Sequence, residues 1–176
     1  RAGSGRQEIV SVGPDGVHRE RTPTYHCLLA EQLAGVVALA TAAPASRVHP
    51  GAAARLEAAL ERMLAALPAF THPDGDVALW NDSQLGAPVT PQRLAGRLGR
   101  ELPEGSADAP QAGLFRRSFG PWTLLFNTGG VGLPHQPGHI HADGLAIELS
   151  LHGERIVIDA GVGTYVPGSS RDYAQI

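Results

Sequence analysis

The apolar periodicity of this chain changes once, and that change constrains the fold more than any other feature. Through residues 1–102 the apolar side chains recur at helical spacing, and from residue 113 they recur at the two-residue spacing of strands. A pattern with one period does not settle into the other kind of element. The chain therefore reads as an α+β protein: a helical part over 1–102, a linker over 103–112 and an antiparallel sheet over 113–176.

In the helical part, Thr22-Pro23 has the form of an N-cap followed by proline at the first helical position. Leu29, Leu33, Val36, Val37 and Ala40 continue that helix toward Pro44. A second helix is predicted from about Gly51 to Leu67 on the stripe Leu56, Leu60, Leu64 and Leu67. Thr90-Pro91 repeats the cap signal and opens a third, ending near Gly99. Between the second and third lies the loop "THPDGDVALWNDSQLGAP", with a short extended piece at Val77–Asn81. The linker "PEGSADAPQA" has no periodicity.

"LAIELSLHGERIVIDAG" is the clearest hairpin. Leu145, Ile147, Leu149 and Leu151 alternate with Ala146, Glu148, Ser150 and His152. His152-Gly153 makes the turn, and Glu154–Ala160 returns.

Composition excludes several classes of function. A chain of 176 residues with 43% hydrophobic and 18% charged residues can bury a core and is not disordered by composition. A net charge of −3 with no Lys/Arg run gives a nucleic-acid partner no support. Cys27 is alone and forms no internal disulfide. No stretch approaches the roughly 18–20 uninterrupted apolar residues of a membrane span. The opening "RAGSGRQEIV" lacks a Met and a signal-peptide pattern, which reads as a fragment or a processed chain. The phosphate-loop, dinucleotide-binding and G-x-S-x-G patterns are absent, and Asp74-Gly75 reads as a turn without calcium-loop spacing.

Two polar clusters remain. In "GHIHADG", His139, His141 and Asp143 immediately precede the first hairpin strand, and Asp159 ends the second. The hairpin brings those ends together, so Asp159 can approach His141. Imidazole with carboxylate suits Zn²⁺, but a zinc site takes three or four protein ligands and two are visible. The other reading is ordinary polar residues before a strand. In "PDGVHRERTPTYH", Tyr25 and His26 fall in the first turn of a helix, where free N–H groups and the dipole favour anions. A tyrosine there can act as a proton donor, or it can be half-buried beside a helix cap. His49, His72 and His152 read as loop or turn residues, and His135 as a rim residue before the motif.

These clusters together resemble the heparinase II/III-like family of polysaccharide lyases. "PGHIHADGLAIELSLHGERIVIDAGVGTY" is similar to the family's H-x-H-A-D, hairpin and Asp-x-Gly…Tyr signature. "DGVHRERTPTYH" is similar to its D-G-x-H-x-E-x-(S/T)-P-x-Y-H motif, and "GDVALWNDS" to a loop carried between the two.

The resemblance implies part of an (α/α) toroid followed by part of an antiparallel β-sandwich, with an acidic polysaccharide bound between them. It implies β-elimination on a uronic-acid glycan of the alginate or glycosaminoglycan kind, in a periplasmic or cell-envelope setting. By position, Tyr25, His139 and Tyr165 match the catalytic residues, with Tyr173 a second match for the last. His18, Glu20 and His26 fall in the substrate-binding part of the motif, and His141 and Asp159 match two ligands of a structural zinc. The family's upstream Asn-His and its downstream zinc histidine have no counterpart here, so the resemblance implies an incomplete zinc shell, with the remainder of the same protein completing the fold. A non-catalytic glycan-binding or exopolysaccharide-assembly relative is the alternative, and a zinc-stabilised structural module is a third reading.

Overall fold

A computed structural model of the chain describes residues 11–130, 141–161, 166, 168 and 169. Helices α1 (Pro23–Ala42), α2 (Ala52–Ala66) and α3 (Pro91–Arg97) form one layer. Five strands form the other: β1 (Ala107–Ala109), β2 (Leu114–Phe119), β3 (Trp122–Asn127), β4 (Ile147–Leu151) and β5 (Glu154–Val157). Among the described residues they make one antiparallel sheet in the order β1-β2-β3-β4-β5, each strand pairing with the next in sequence.

Both Thr-Pro signals open helices, by different means. Thr90 Oγ1 accepts from Arg93 N at 3.3 Å, a side-chain cap. Thr22 occupies the cap position of α1 without a side-chain cap bond. The unpaired Thr24 N–H of the first turn instead donates to Ser83 Oγ at 3.3 Å, from the loop before α3. The α1 start is thus fastened from outside its own helix.

Helix α1 is long and apolar enough to cross a membrane by length and composition alone, which the search for an uninterrupted apolar run did not register. Here it packs on α2. Cys27, Ala30 and Leu33 join Leu60, Met63, Phe70 and Trp80 in the core, while Val36 and Leu39 are exposed.

The linker expectation needs revision. Residues 107–109 of the aperiodic 103–112 stretch pair with β2, Ala107 opposite Arg116 and Ala109 opposite Leu114. Three residues are too few to show a period, so only the neighbouring strand reveals them.

The hairpin is present, and His152 and Gly153 both have positive φ, 50° and 89°, as a type I′ turn requires. Its faces are the unexpected part. Glu148 and Ser150 point into the molecule with no exposed surface, while Ile147 is 49% exposed on the other side. The inner face continues with Leu114, Arg116, Thr123, Leu125 and Asn127. The outer face carries Phe115, Leu124, Phe126, Ile147, Leu149 and Val157.

Burying Glu148 requires partners, and the stretch from Thr71 to Leu79 supplies them. His72 Nε2 lies 2.9 Å from Glu148 Oε2, and His72 Nδ1 lies 2.8 Å from Ser150 Oγ. Leu79 N donates to Glu148 Oε1 at 2.5 Å. Arg155, opposite Ser150, binds Asp74 through Nε and Nη2 at 2.7 and 3.1 Å and donates to Val77 O at 2.8 Å. His72, read from sequence as a loop residue, is thus an inter-layer clamp.

Removing one partner of a buried pair leaves the other without compensation. Glu148→Ala is expected to lower stability by about 3 kcal/mol, with Glu148→Gln losing distinctly less. Urea denaturation checks this, and equal losses for the two variants would show that hydrogen bonding at this position contributes nothing.

Candidate functional site

Three separate stretches meet at one end of the sheet: the start of α1, the loop Trp80–Ser83, and the segment from His141 into β4. The loop is the hub. Asn81 Nδ2 donates to Arg21 O at 3.0 Å, and Asn81 Oδ1 accepts from His141 N at 3.2 Å. Asn81 N donates to Asp143 Oδ2. Ser83 Oγ holds Thr24 N, and Thr24 Oγ1 accepts from Gln84 N at 3.2 Å.

Asp82 sits at the centre with no exposed surface. Its Oδ2 accepts from the Tyr25 hydroxyl at 3.1 Å, and its Oδ1 lies 3.0 Å from His141 Nε2. One carboxylate therefore joins the helix-borne tyrosine to the histidine before the hairpin. Tyr25 is half-buried, and His141 is 6% exposed.

Backbone strain gathers at the same place. Among the described residues, Arg21, Asn81, Leu145 and His152 are non-glycine residues with positive φ. His152 belongs to the hairpin turn; the other three border this site at φ 56°, 54° and 68°. Such conformations cost about 1–3 kcal/mol each and persist where the surroundings fix them. Asn81 tolerates the left-handed region well, and its side chain bonds to Arg21.

The other predicted site residues divide. His139, Tyr165 and Tyr173, with His135, lie outside the described residues. His18 is half-buried and lines a cavity of about 130 Å³ with Asp15, Arg19 and Arg21. Burial holds its pKa below the usual value, against the opposing pull of Glu20, which is itself half-buried. His26 is 1% exposed, accepts from His18 N through Nδ1 at 3.2 Å and donates to Met63 O through Nε2 at 3.0 Å. Both ring nitrogens are engaged by backbone, so His26 is a structural bridge between the motif and α2, and the substrate-binding expectation for it does not suit this placement. A cavity of about 930 Å³ opens elsewhere, beside His72, Arg116 and Trp122, and includes neither Tyr25 nor His141.

Asp159 comes back toward the motif as the hairpin requires. Burial first, and Asp159 after it, push the Asp143 carboxyl pKa up, against the Asn81 N–H and His141. Asp159 Oδ1 accepts from Gly161 N at 2.9 Å. Gly161, at φ 61°, has no room for a side chain: a Cβ there would lie 2.8 Å from Ser83 O. The end of the hairpin is thus pressed onto the hub loop.

The resemblance implies zinc on His141 and Asp159. Asp82 engages Nε2 of that histidine, and among the described residues no three His, Cys, Asp or Glu side chains gather as a metal site. Zinc takes three or four protein donors, so His141 and Asp159 would need at least one further ligand to hold it.

Residues 101–175 match the family described as Heparinase II/III-like, C-terminal. The resemblance to the heparinase II/III-like family therefore holds for the sheet part of the chain. The fold matches solved structures over nearly its whole length. Heparinase III, the BT4657 gene product, aligns over 97% of this chain with TM-score 0.73 and 18% identity. Heparan sulfate lyase HepC from Pedobacter heparinus aligns over 94% with TM-score 0.71 and 18% identity. Another heparinase III structure aligns over 94% with TM-score 0.72 and 18% identity. The chain covers 30%, 29% and 31% of those three chains respectively. No curated protein matches it.

Burial drives the His26 pKa down to about 3, with the Met63 carbonyl opposing and His18 adding to the fall. The folded ring therefore stays neutral where the unfolded ring, near 6.5, takes up a proton. Stability from this residue is complete above pH about 6.5 and is lost progressively as pH falls toward 3. His26→Gln is expected to flatten the stability curve between those limits. Denaturation midpoints that fall with the same slope in both proteins would remove His26 from the acid response.

Proposed function

We propose that this chain is part of a polysaccharide lyase that cleaves a uronic-acid-containing acidic polysaccharide by β-elimination. The observation that carries the proposal is the joining of Tyr25 to His141 through Asp82, where the helical layer meets the sheet. It is supported by the family match over residues 101–175 and by the fold shared with a heparan sulfate lyase and heparinase III.

Elimination asks three things of the protein. The substrate carboxylate must be neutralised, the proton alpha to it removed, and the leaving glycosidic oxygen protonated as the neighbouring C–O bond breaks and the double bond forms. Tyr25 is half-buried on a fixed helix start, so its hydroxyl is the described group best placed to exchange a proton at the cleaved bond. His139 is assigned the cleft side of the H-x-H pair and Tyr165 a place near the substrate, both on the resemblance. His18, Arg19 and Arg21 line the small cavity next to the same helix start and offer cationic or hydrogen-bonding groups to an acidic sugar.

The finer architecture follows from the faces of the sheet. An antiparallel sheet with one solvated face shows polar residues on that face. Here the outer face carries Phe115, Leu124, Phe126, Ile147, Leu149 and Val157, an apolar surface that a second sheet of the same protein covers in the sandwich we propose. The three helices are then part of the toroid.

The test is the ultraviolet absorbance of the unsaturated product when full-length protein meets heparan sulfate, alginate and other uronate glycans. Product from at least one glycan is expected, with Tyr25→Phe losing about 100-fold or more in kcat. Binding without product would favour the glycan-binding alternative, and full activity in Tyr25→Phe would remove the tyrosine from the chemistry.

A further inference from the structure

The motif resemblance assigns no role to Asp82, yet the site is built around it. We propose that Asp82 is a positioning residue that fixes the Tyr25 hydroxyl and locks it to the His141 ring. The proposal rests on the lyase reading above and adds a residue to it.

Three observations carry the assignment. Both carboxylate oxygens are in use, Oδ2 by the Tyr25 hydroxyl at 3.1 Å and Oδ1 by His141 Nε2 at 3.0 Å. The carboxylate has no exposed surface, so bulk water does not compete for either contact. Its backbone is pinned on both sides: Asn81 binds Arg21 O, His141 N and Asp143, and Ser83 binds Thr24 N. A side chain held in this way cannot follow a moving tyrosine, so the tyrosine is held to it.

The chemical consequence concerns aim. A tyrosine side chain swings about its Cα–Cβ bond and tilts with its helix, and either motion displaces the hydroxyl. Elimination needs that oxygen within hydrogen-bond reach of a reacting atom, and a misplacement of about 1 Å can cost roughly 100-fold in rate. Asp82 limits the displacement from a buried position while leaving Tyr25 half-exposed to substrate. The histidine end fixes the other coordinate. His141 begins the run into β4, and its ring cannot shift without moving the same carboxylate. The helix layer and the sheet layer are thereby referenced to each other at the reacting group.

The experiment uses full-length protein and three substitutions. Asp82→Ala removes both contacts and is expected to lower kcat roughly 100-fold while KM changes less than about threefold. Asp82→Asn keeps the shape and one acceptor and is expected to recover most of that loss. Asp82→Glu keeps the charge, displaces the oxygens by a methylene, and is expected to remain impaired. Combining Asp82→Ala with Tyr25→Phe is expected to be no worse than Tyr25→Phe alone, because the two act through one group.

Near-wild-type kcat in folded Asp82→Ala, or a full additional loss in the double variant, overturns the proposal while leaving the lyase reading intact. If Asp82→Ala fails to fold, the contrast between Asn and Glu decides, and equal wild-type kcat in both overturns it. Absence of product from wild-type protein on every glycan is the separate failure of the lyase reading. The ¹³Cζ resonance of Tyr25, identified by its loss in Tyr25→Phe, then decides for Asp82: it shifts in Asp82→Glu if the contact holds the ring, and an unmoved resonance overturns the assignment.

Discussion

A carboxylate with no exposed surface must be met by donors, and among the described residues two such groups lie in the seam between the layers. Asp82 and Glu148 are both fully buried. An unpaired buried charge is strongly destabilising, whereas a paired and hydrogen-bonded one is tolerated. Their donors come from across the seam. Glu148, on β4, is met by His72 and by Leu79 N from the helical layer's long loop. Asp82, on that loop, is met by Tyr25 of α1 and by His141 of the approach to β4. Helices and sheet are joined by directional bonds with one correct register, where an apolar seam would tolerate sliding. A site that takes groups from both layers depends on that register.

The same constraint explains the inverted hairpin. With Glu148, Ser150 and Arg155 turned toward the Thr71–Val77 loop, the two-residue period forces Ile147, Leu149 and Leu151 to the opposite side. The polar face is buried because its partners are there, and the apolar face looks outward because the polar one looks in. An ordinary amphipathic hairpin does the reverse. The outer apolar row thus reflects a sheet that serves two packing partners, one of them polar.

How much of this was legible in the sequence depends on how local each cause is. Pro23 and Pro91 fixed helix starts because proline restricts its own residue and its neighbour. The His152-Gly153 turn was legible for the same reason. Alternation revealed the hairpin, but alternation cannot say which face is inward when both carry a coherent pattern. Strand β1 was hidden because Ala107–Ala109 is too short to have a period. His72 looked like a loop residue because its partners, Ser150 and Glu148, lie 78 and 76 positions away. Asp82 was missed similarly: "GDVALWNDS" stood out by resemblance, yet nothing within it names the carboxylate that reaches Tyr25 over 57 positions and His141 over 59. Two of the site's expected members, Tyr25 and His141, are brought to one carboxylate; His26, adjacent in sequence, faces α2 instead because consecutive helical residues point about 100° apart.

The strain around the site fits this division between buried anchor and accessible group. Arg21, Asn81 and Leu145 hold left-handed backbone where three stretches of chain must turn into contact, and Gly161 brings the hairpin's end against Ser83 O with no space for a Cβ. Regular helix or strand geometry would carry these segments past one another. Irregular backbone costs free energy, and it is retained when many surrounding bonds fix it at once. Here those bonds converge on Asn81, Asp82 and Ser83. The hub loop gives up its own regular structure to satisfy both layers. In return, a half-exposed tyrosine gains a fixed direction from a residue that solvent does not reach.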